Sequence, residues 1–177
     1  MDIERTIGKI EQIKNTNIID ISDWRAFNIS DYFEVTGTVT TPKYKIDSKP
    51  GPYPYVTTRA TNNGIDSYSS IKTEEGNVLV VDSAVLGFMT YQEDSFSASD
   101  HVEKLIPKFE LNKYIGIFIC TVWNKMYSGI KYDYYRKASQ TEIRQEKILL
   151  PSKNDKEPDF KFMENYIKNS TFGNMLK

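Results

Sequence analysis

A run of polar residues follows the short apolar segment 54–56, and its side chains are of the types that bond to other molecules. Arg59 carries a planar fork of donors, and each of Asn62 and Asn63 carries a donor beside an acceptor. An arginine fork matches the O6 and N7 edge of guanine, and an asparagine amide matches the N6 and N7 edge of adenine. The segment also holds threonines that could reach phosphates or a thymine methyl group: Thr57, Thr58 and Thr61. These residues could therefore contact the edges of bases, although the pair Asn63-Gly64 equally indicates an ordinary tight turn.

A second segment, 127–145, mixes aromatic and basic residues. Aromatic faces beside lysine and arginine suit contacts with bases, sugars and phosphates. On this interpretation three cations contact phosphates, and either Tyr132 or Tyr135 packs on the sugar–phosphate edge; the cations are Lys131, Arg136 and Lys137. The alternative is that the tyrosines pack on the core and expose only their hydroxyl groups.

The distribution of charge is uneven, although the formal net charge is only −1 and the pI is about 5.9. The first 103 residues contain more acidic than basic residues, whereas residues 104–147 contain nine basic and four acidic ones. Affinity for phosphate depends on local basic groups rather than on net charge. The basic stretch 104–147 is therefore compatible with an anionic partner but does not require one.

Catalytic chemistry has one candidate group, which is Ser97, Ser99, Asp100 and His101. A hydrolase triad needs its three groups to converge in space, and neighbours along a strand point to opposite faces. The G-x-S-x-G, P-loop and G-x-G-x-x-G motifs do not occur, and one histidine with one cysteine gives no zinc-ligand spacing. The sequence therefore predicts a chain without a catalytic, metal or cofactor site, in which Cys120 is a buried core thiol.

The apolar pattern predicts strands and helices without the regular spacing of βαβ units, which is typical of an α+β or mixed α/β fold. Strands are expected from Trp24 and at 54–58, 77–82, 86–91, 102–106 and 146–150, and residues 41–54 are expected to form an extended loop. Ser30 is a candidate N-cap for one helical turn before a strand that reaches Gly37. The central helix is predicted at 111–127, with this buried stripe: Ile115, Phe118, Ile119, Val122 and Met126.

Isoleucines at helical spacing predict an amphipathic helix over residues 3–14, and a last helix is predicted over 158–168. The expected organisation is an N-terminal helix and linker (1–23), a globular domain (24–158) and a C-terminal helix with a tail (159–177). No apolar run approaches the roughly 20 residues of a membrane span, and the N-terminus has no signal-peptide core. The sequence therefore predicts a cytoplasmic protein with no membrane partner.

Four segments taken together carry a resemblance to a known family. They are "YPYVTTRATNNGI", "GNVLVVDSAVLGFMTYQEDSFSASDHVEKLIP", "LNKYIGIFICTVWNKMYSGIKYDYYRK" and "IRQEKILLPSKNDKEPDFKFMENYIK". In this order they resemble the target recognition domains of specificity (S) subunits. Such subunits belong to type I restriction–modification systems and to related bifunctional type II restriction enzymes. The resemblance covers residues 24–168.

The resemblance implies a single globular α/β unit with a central buried helix and a C-terminal helix. It also implies a non-catalytic module that recognises a few base pairs of double-stranded DNA in a prokaryotic or phage-encoded system. Catalysis would belong to a methyltransferase (modification) subunit, with or without a restriction subunit, and S-adenosylmethionine and magnesium would be bound by those partners. Ser97, Ser99 and His101 become additional candidate contacts with the DNA backbone.

One expectation and two alternatives accompany this resemblance. Complete S subunits contain two recognition domains and this chain shows one, so a homodimer or a second recognition domain is expected. One alternative is an interaction protein of the same fold, a decoy that binds the modification machinery rather than DNA; the acidic N-terminal half keeps it open. The other is a nuclease or hydrolase built on residues 97–101.

Overall fold

The computed structural model of the chain describes residues 19–154, 156–170 and 173. The helix predicted over residues 3–14 lies outside these residues, as does the first part of the linker predicted after it, residues 15–18. The described part forms a mixed α/β unit, which confirms the predicted fold class.

The described residues form ten strands, five α-helices and one short 3-10 turn at Asn62–Gly64. The strands are β1 (Trp24–Asn28), β2 (Phe33–Gly37), β3 (Tyr53–Val56), β4 (Ile65–Ser69), β5 (Val78–Asp82), β6 (Met89–Gln92), β7 (Ser97–Ala98), β8 (Val102–Pro107), β9 (Lys147–Lys153) and β10 (Glu157–Pro158). The helices are α1 (Ile29–Tyr32), α2 (Lys43–Asp47), α3 (Lys113–Met126), α4 (Gln140–Gln145) and α5 (Phe160–Asn169).

A four-stranded antiparallel sheet in the order β2-β8-β5-β6 lies at the centre. Every residue of β5 is buried, because both faces of the sheet are covered. Leu79 and Val81 belong to the large core cluster that includes residues of α3, whereas Val78 and Val80 belong to a second cluster. Alternate residues of one strand thus reach two separate cores, as the period of two along a strand requires.

Two smaller sheets flank the central one. The sheet β4-β3-β7, in which β3 and β7 run parallel, packs through Val56 and Ala98 on the second core cluster. The antiparallel sheet β1-β9-β10 contributes Phe27, Ile148 and Leu150 to the large cluster.

The central helix α3 begins at a capping side chain, because Asn112 accepts hydrogen bonds from the backbone N–H groups of Tyr114 and Ile115. Three residues of the predicted stripe are buried, but Val122 and Met126 are only partly buried. Trp123 is fully buried although it lies outside that stripe. The cause is that α3 contacts β9 and α5 as well as β5 and β6, so its buried face is wider than one stripe.

Three local predictions differ from the structure. Residues 41–54 do not form one extended loop, because Lys43–Asp47 is a helix after Pro42, and Ile46 buries its side chain there. Ser30 is not an N-cap: it lies inside α1, and Asn28 occupies the capping position. The strand predicted at 86–91 begins later, at Met89, so that residues 83–88 form a turn.

Candidate nucleic-acid interface

The polar segment after β3 folds into a closed loop. The backbone N–H of Thr57 donates to the carbonyl of Gly64 over 2.9 Å, and this bond joins the two ends of the loop. Asn62 and Asn63 have φ angles of 51° and 52°, in the left-handed region that asparagine tolerates better than most residues. The Asn62 amide donates to the carbonyl of Ile65 over 2.9 Å. The structure therefore favours the turn explanation for Asn62.

Asn63 connects this loop to the outer strand of the central sheet. Its amide donates to the carbonyl of Tyr91 over 2.8 Å, and its own backbone carbonyl accepts from the amide of Gln92 over 3.0 Å. On the same strand, the Asn124 side chain accepts from the N–H of Met89 over 2.7 Å and donates to the Met89 carbonyl over 2.9 Å. Side-chain amides thus bond the backbone of β6, which has no strand on its outer side among the described residues.

Arg59 lies at the tip of the loop and is exposed. Its Nη1 lies 3.1 Å from Oδ1 of Asp66, and the other oxygen of that carboxylate lies 2.8 Å from Nζ of Lys43. The hydrogen bond from Lys43 is the main reason that the pKa of Asp66 is lowered, so this carboxylate is charged at neutral pH. Asp66 therefore holds the guanidinium at the surface, where it can contact a ligand.

The segment 127–145, which we call the basic segment, divides into a buried first part and an exposed second part. Tyr132 is 0% exposed, and its hydroxyl donates to the carboxylate of buried Glu146, which also pairs with Lys131. Burial is the main cause that raises the pKa of Tyr132, followed by its hydrogen bond with Glu146. The prediction that Tyr132 packs on DNA is wrong, because its ring stacks on Trp123 inside the core.

The exposed part contains the side chains that remain available to a ligand. The Asp133 carboxylate accepts from the backbone N–H groups of Tyr135 and Arg136, each over 2.8 Å, and so forms a tight turn. Tyr135 is 93% exposed, and Arg136 and Lys137 are exposed beside it. Arg136 makes one long contact of 3.5 Å with Glu142.

The three serine and histidine candidates differ in how far they are buried. Ser97 is fully buried and its hydroxyl donates to the carbonyl of Ile71 over 2.6 Å, so the prediction that it contacts DNA is wrong. The same hydrogen bond removes Ser97 from any hydrolase arrangement with His101. His101 is exposed and adopts a φ angle of 60°, and Ser99 is half-buried.

Backbone hydrogen bonds connect the loops that follow β3, β5, β7 and α3. The N–H of Ser99 donates to the carbonyl of Val56, just before the polar loop, over 2.9 Å. The N–H of Ser83 donates to the carbonyl of His101 over 2.9 Å, and the N–H of Gly129 donates to the carbonyl of Leu86 over 3.1 Å. We call the four connected segments the loop surface: residues 57–64, 83–88, 99–101 and 128–137.

A cleft of about 730 Å³ opens at the β6 edge, between the β3–β4 hairpin and α3. Asn63, Asn124, Lys113 and the acidic pair Glu93 and Asp94 line it. The carboxylates of Glu93 and Asp94 make the part of the cleft that they line unsuited to phosphate, because like charges repel. Cys120 also lines the cleft, and burial raises the pKa of its thiol, which confirms the predicted core cysteine.

Sequence reasoning missed two acidic residues that organise the loop surface. Asp82 is buried at the end of β5, and its carboxylate accepts backbone N–H groups from the 83–88 turn. The carboxylate of Glu146, the residue after α4, accepts from Lys131 and from the Tyr132 hydroxyl and so fixes this part of the basic segment. The position of Asp82, at the end of the apolar run "VLVV", was the available signal for the first; the sequence around Glu146 offered none.

The loop surface thus carries exposed cationic and aromatic side chains, the types that suit ligand binding, on short loops next to packed strands. No cluster of three or more potential metal ligands occurs among the residues that the structure describes. The chain belongs to the type I restriction modification DNA specificity domain family, whose sequence profile matches residues 21–175. This match confirms the resemblance carried by the four sequence segments.

Individual relatives agree with this assignment. The chain is 33% identical over 150 residues to a protein of Heyndrickxia coagulans named "Type II restriction enzyme BgcI specificity subunit S.BcgI". That match covers 81% of this chain and 42% of the relative, so the chain spans less than half of the relative's length.

Solved structures show the same fold. The S subunit of a type I restriction–modification system from M. genitalium superposes with a TM-score of 0.62 at 13% identity, covering 87% of this chain and 40% of that one. The HsdS subunit of Thermoanaerobacter tengcongensis gives a TM-score of 0.59 at 9% identity, covering 94% and 45%. Among the described residues, no helix is both long and apolar enough to cross a membrane.

Proposed function

We propose that this chain is a DNA recognition unit of a restriction–modification specificity subunit and has no catalytic role of its own. The observation that carries the proposal is the loop surface, where backbone hydrogen bonds join four segments that expose Arg59, Tyr135, Arg136 and Lys137. Guanidinium forks and aromatic faces beside cations are the groups that contact bases and phosphates. Membership of the family, and the name of the Heyndrickxia relative, support this assignment.

The proposal includes the rest of the assembly. The matched part amounts to 42% of the relative's length, so this chain would supply one recognition unit, and a second copy or a second domain would supply the other. Two-fold assemblies are the commonest closed arrangement, and they match two-fold symmetric DNA sites. A methyltransferase subunit, with or without a restriction subunit, would bind S-adenosylmethionine and magnesium and carry out catalysis.

Selection from a pool of randomised duplexes tests the proposal directly. The purified chain, alone and together with its methyltransferase subunit, is incubated with the pool at several salt concentrations, and the retained duplexes are sequenced. We expect enrichment of one short motif, and mapping of methylated adenines in cells with both subunits should return the same motif. Absence of enrichment in both samples at every salt concentration would reject the proposed function.

Replacing Arg59 with Ala should weaken binding to the selected motif by about 1–3 kcal/mol and leave binding to unrelated duplex nearly unchanged, because an arginine fork discriminates bases. Arg59→Lys is the matched control, since it keeps the charge and removes the fork. Fluorescence anisotropy with both duplexes measures the two affinities. Equal losses on the two duplexes would assign Arg59 to general charge attraction instead of base recognition.

Neutralising Arg136 or Lys137 should weaken binding to every duplex similarly and reduce the slope of log affinity against log salt by about one unit, as expected when one phosphate contact is removed. Lys153→Ala is the control, because this exposed lysine lies at the far end of β9 from the basic segment. The measurement is a salt titration of each variant. An unchanged slope for both variants would make these two side chains ordinary solvated surface groups.

A further inference from the structure

Three aliphatic side chains are exposed on the loop surface, and together we call them the apolar patch: Val85, Leu86 and Ile130. Their exposed fractions are 41%, 36% and 72%. The backbone N–H of Gly129 donates to the Leu86 carbonyl, and a Cβ at Gly129 would lie 4.0 Å from Cδ2 of Leu86. The Leu86 side chain therefore lies beside Gly129, the residue that precedes Ile130.

The turn that carries Val85 and Leu86 is held rigidly. The buried carboxylate of Asp82 accepts from the backbone N–H groups of Ala84, Val85 and Leu86 at 2.8, 2.9 and 2.8 Å. At the other end of the turn, the indole of buried Trp123 donates to the Gly87 carbonyl over 2.8 Å.

Gly87 is required at the end of this turn. Its φ angle is 67°, and a Cβ there would lie 2.6 Å from Cβ of Tyr132. Isolated exposed aliphatic residues are common on proteins, but these occupy a turn that hydrogen bonds fix at both ends. Fixing the turn sets the positions of Val85 and Leu86 before any ligand arrives, which lowers the entropic cost of binding.

The surroundings of the apolar patch favour DNA as its ligand. The exposed cations Arg136 and Lys137 follow Ile130 in the same segment. Phe88 of the turn lines the same cleft as Ala60, which adjoins Arg59 in the polar loop. Two segments of the loop surface thus expose cations that can attract phosphates, and a thymine 5-methyl group is the apolar feature that duplex DNA exposes in its major groove.

Building on the proposed function, we propose that the apolar patch contacts pyrimidine 5-methyl groups in the major groove and so selects thymine over cytosine within the recognised motif. Leu86 is the central contact, and Val85 and Ile130 enclose the methyl group. Removing one buried methyl group should weaken binding about fourfold, from the transfer free energy of a single carbon. Where cytosine replaces thymine and weakens binding, 5-methylcytosine at the same position would partly restore the affinity.

The experiment removes the methyl group from the DNA and its apolar neighbour from the protein in turn. Each thymine of the selected duplex is replaced singly by deoxyuridine, and affinities are measured for the wild-type chain and for Val85→Ala, Leu86→Ala and Ile130→Ala. We expect one or two positions where deoxyuridine weakens wild-type binding about fourfold and Leu86→Ala binding hardly at all. Ile21→Ala is the control, because Ile21 is comparably exposed but lies outside the loop surface, before β1.

Several outcomes would overturn the inference while leaving the proposed function intact. These are a selected motif without an A·T pair, wild-type binding that is insensitive to every deoxyuridine, and equal deoxyuridine effects in wild type and Leu86→Ala. Variants that bind DNA normally but no longer associate with the methyltransferase subunit would assign the patch to a protein interface and also overturn it. If no motif is selected at all, the proposed function fails and the inference fails with it. Thermal melting of each variant shows whether the fold is retained.

Discussion

Replacing Trp123 with Ala is expected to lower the free energy of unfolding by about 3–5 kcal/mol, the range for truncating a large buried aromatic residue. Its side chain is fully buried in α3, and its ring lies 4.6 Å from that of Tyr127 and 6.2 Å from that of Tyr132, between ring centroids. The substitution removes this aromatic packing and the donor to the Gly87 carbonyl. Denaturant unfolding followed by circular dichroism measures the change.

Trp123→Phe separates packing from hydrogen bonding. Phenylalanine keeps most of the aromatic packing but leaves the Gly87 carbonyl without its indole donor, which should cost about 1–3 kcal/mol. Because the 83–88 turn depends on that carbonyl, this variant should also weaken binding to the selected duplex more than its stability loss explains. A loss below about 1 kcal/mol for Trp123→Ala would mean that the large core does not depend on this residue.

Replacing Glu146 with Leu is expected to lower the free energy of unfolding by about 2–4 kcal/mol, because it leaves the buried Tyr132 hydroxyl without an acceptor and Lys131 without its counter-ion. The expected loss is below that of a fully buried pair, since Lys131 is partly exposed and can turn towards water. Tyr132 has no such freedom, because its buried ring packs on the rings of both Trp123 and Tyr127. Chemical denaturation again gives the measurement.

A double-mutant cycle identifies the cause. Tyr132→Phe removes the hydroxyl but keeps the ring, so the combination with Glu146→Leu should cost less than the sum of the two single substitutions. Glu146→Gln keeps an acceptor oxygen and should be milder than Glu146→Leu. Strict additivity in the cycle would show that the hydroxyl and the carboxylate do not stabilise each other.

The positions of several strands and of α3 could be predicted from sequence, because apolar periodicity reports directly which side of an element is buried. The prediction failed where burial depends on several neighbours. Trp123 lies beside the predicted stripe, yet it is fully buried because β9 and α5 enclose α3 from a second direction. The strand predicted at 86–91 begins only at Met89, because the Asp82 carboxylate accepts from the N–H groups of Ala84, Val85 and Leu86 and forms a turn before it.

The site was harder to predict, because residues of one type divide between two roles. Tyr132 and Tyr135 are separated by three positions in the same basic segment, and only the second is exposed. They differ in their contact with Glu146, which follows the segment 127–145 in sequence and is brought to Tyr132 by the fold. Ser97 and Ser99 divide in the same way, since the carbonyl that accepts from Ser97 belongs to Ile71. Local chemistry thus pointed to segments rich in polar and aromatic residues, but it did not show which of their members are exposed.

The way in which Asn63 attaches the polar loop to β6 bears on how new specificities can arise. The loop is fixed at its ends, by Thr57 with Gly64 and by Asn63 with Tyr91, while residues 58–61 between these bonds take part in neither of them. Under the proposed function, a lineage could exchange the four tip residues, and with them the preferred bases, without changing these two bonds. A change at Asn63 would instead remove the amide bond to the Tyr91 carbonyl, which would loosen the attachment of the loop to β6 and leave that carbonyl on the strand edge without this partner.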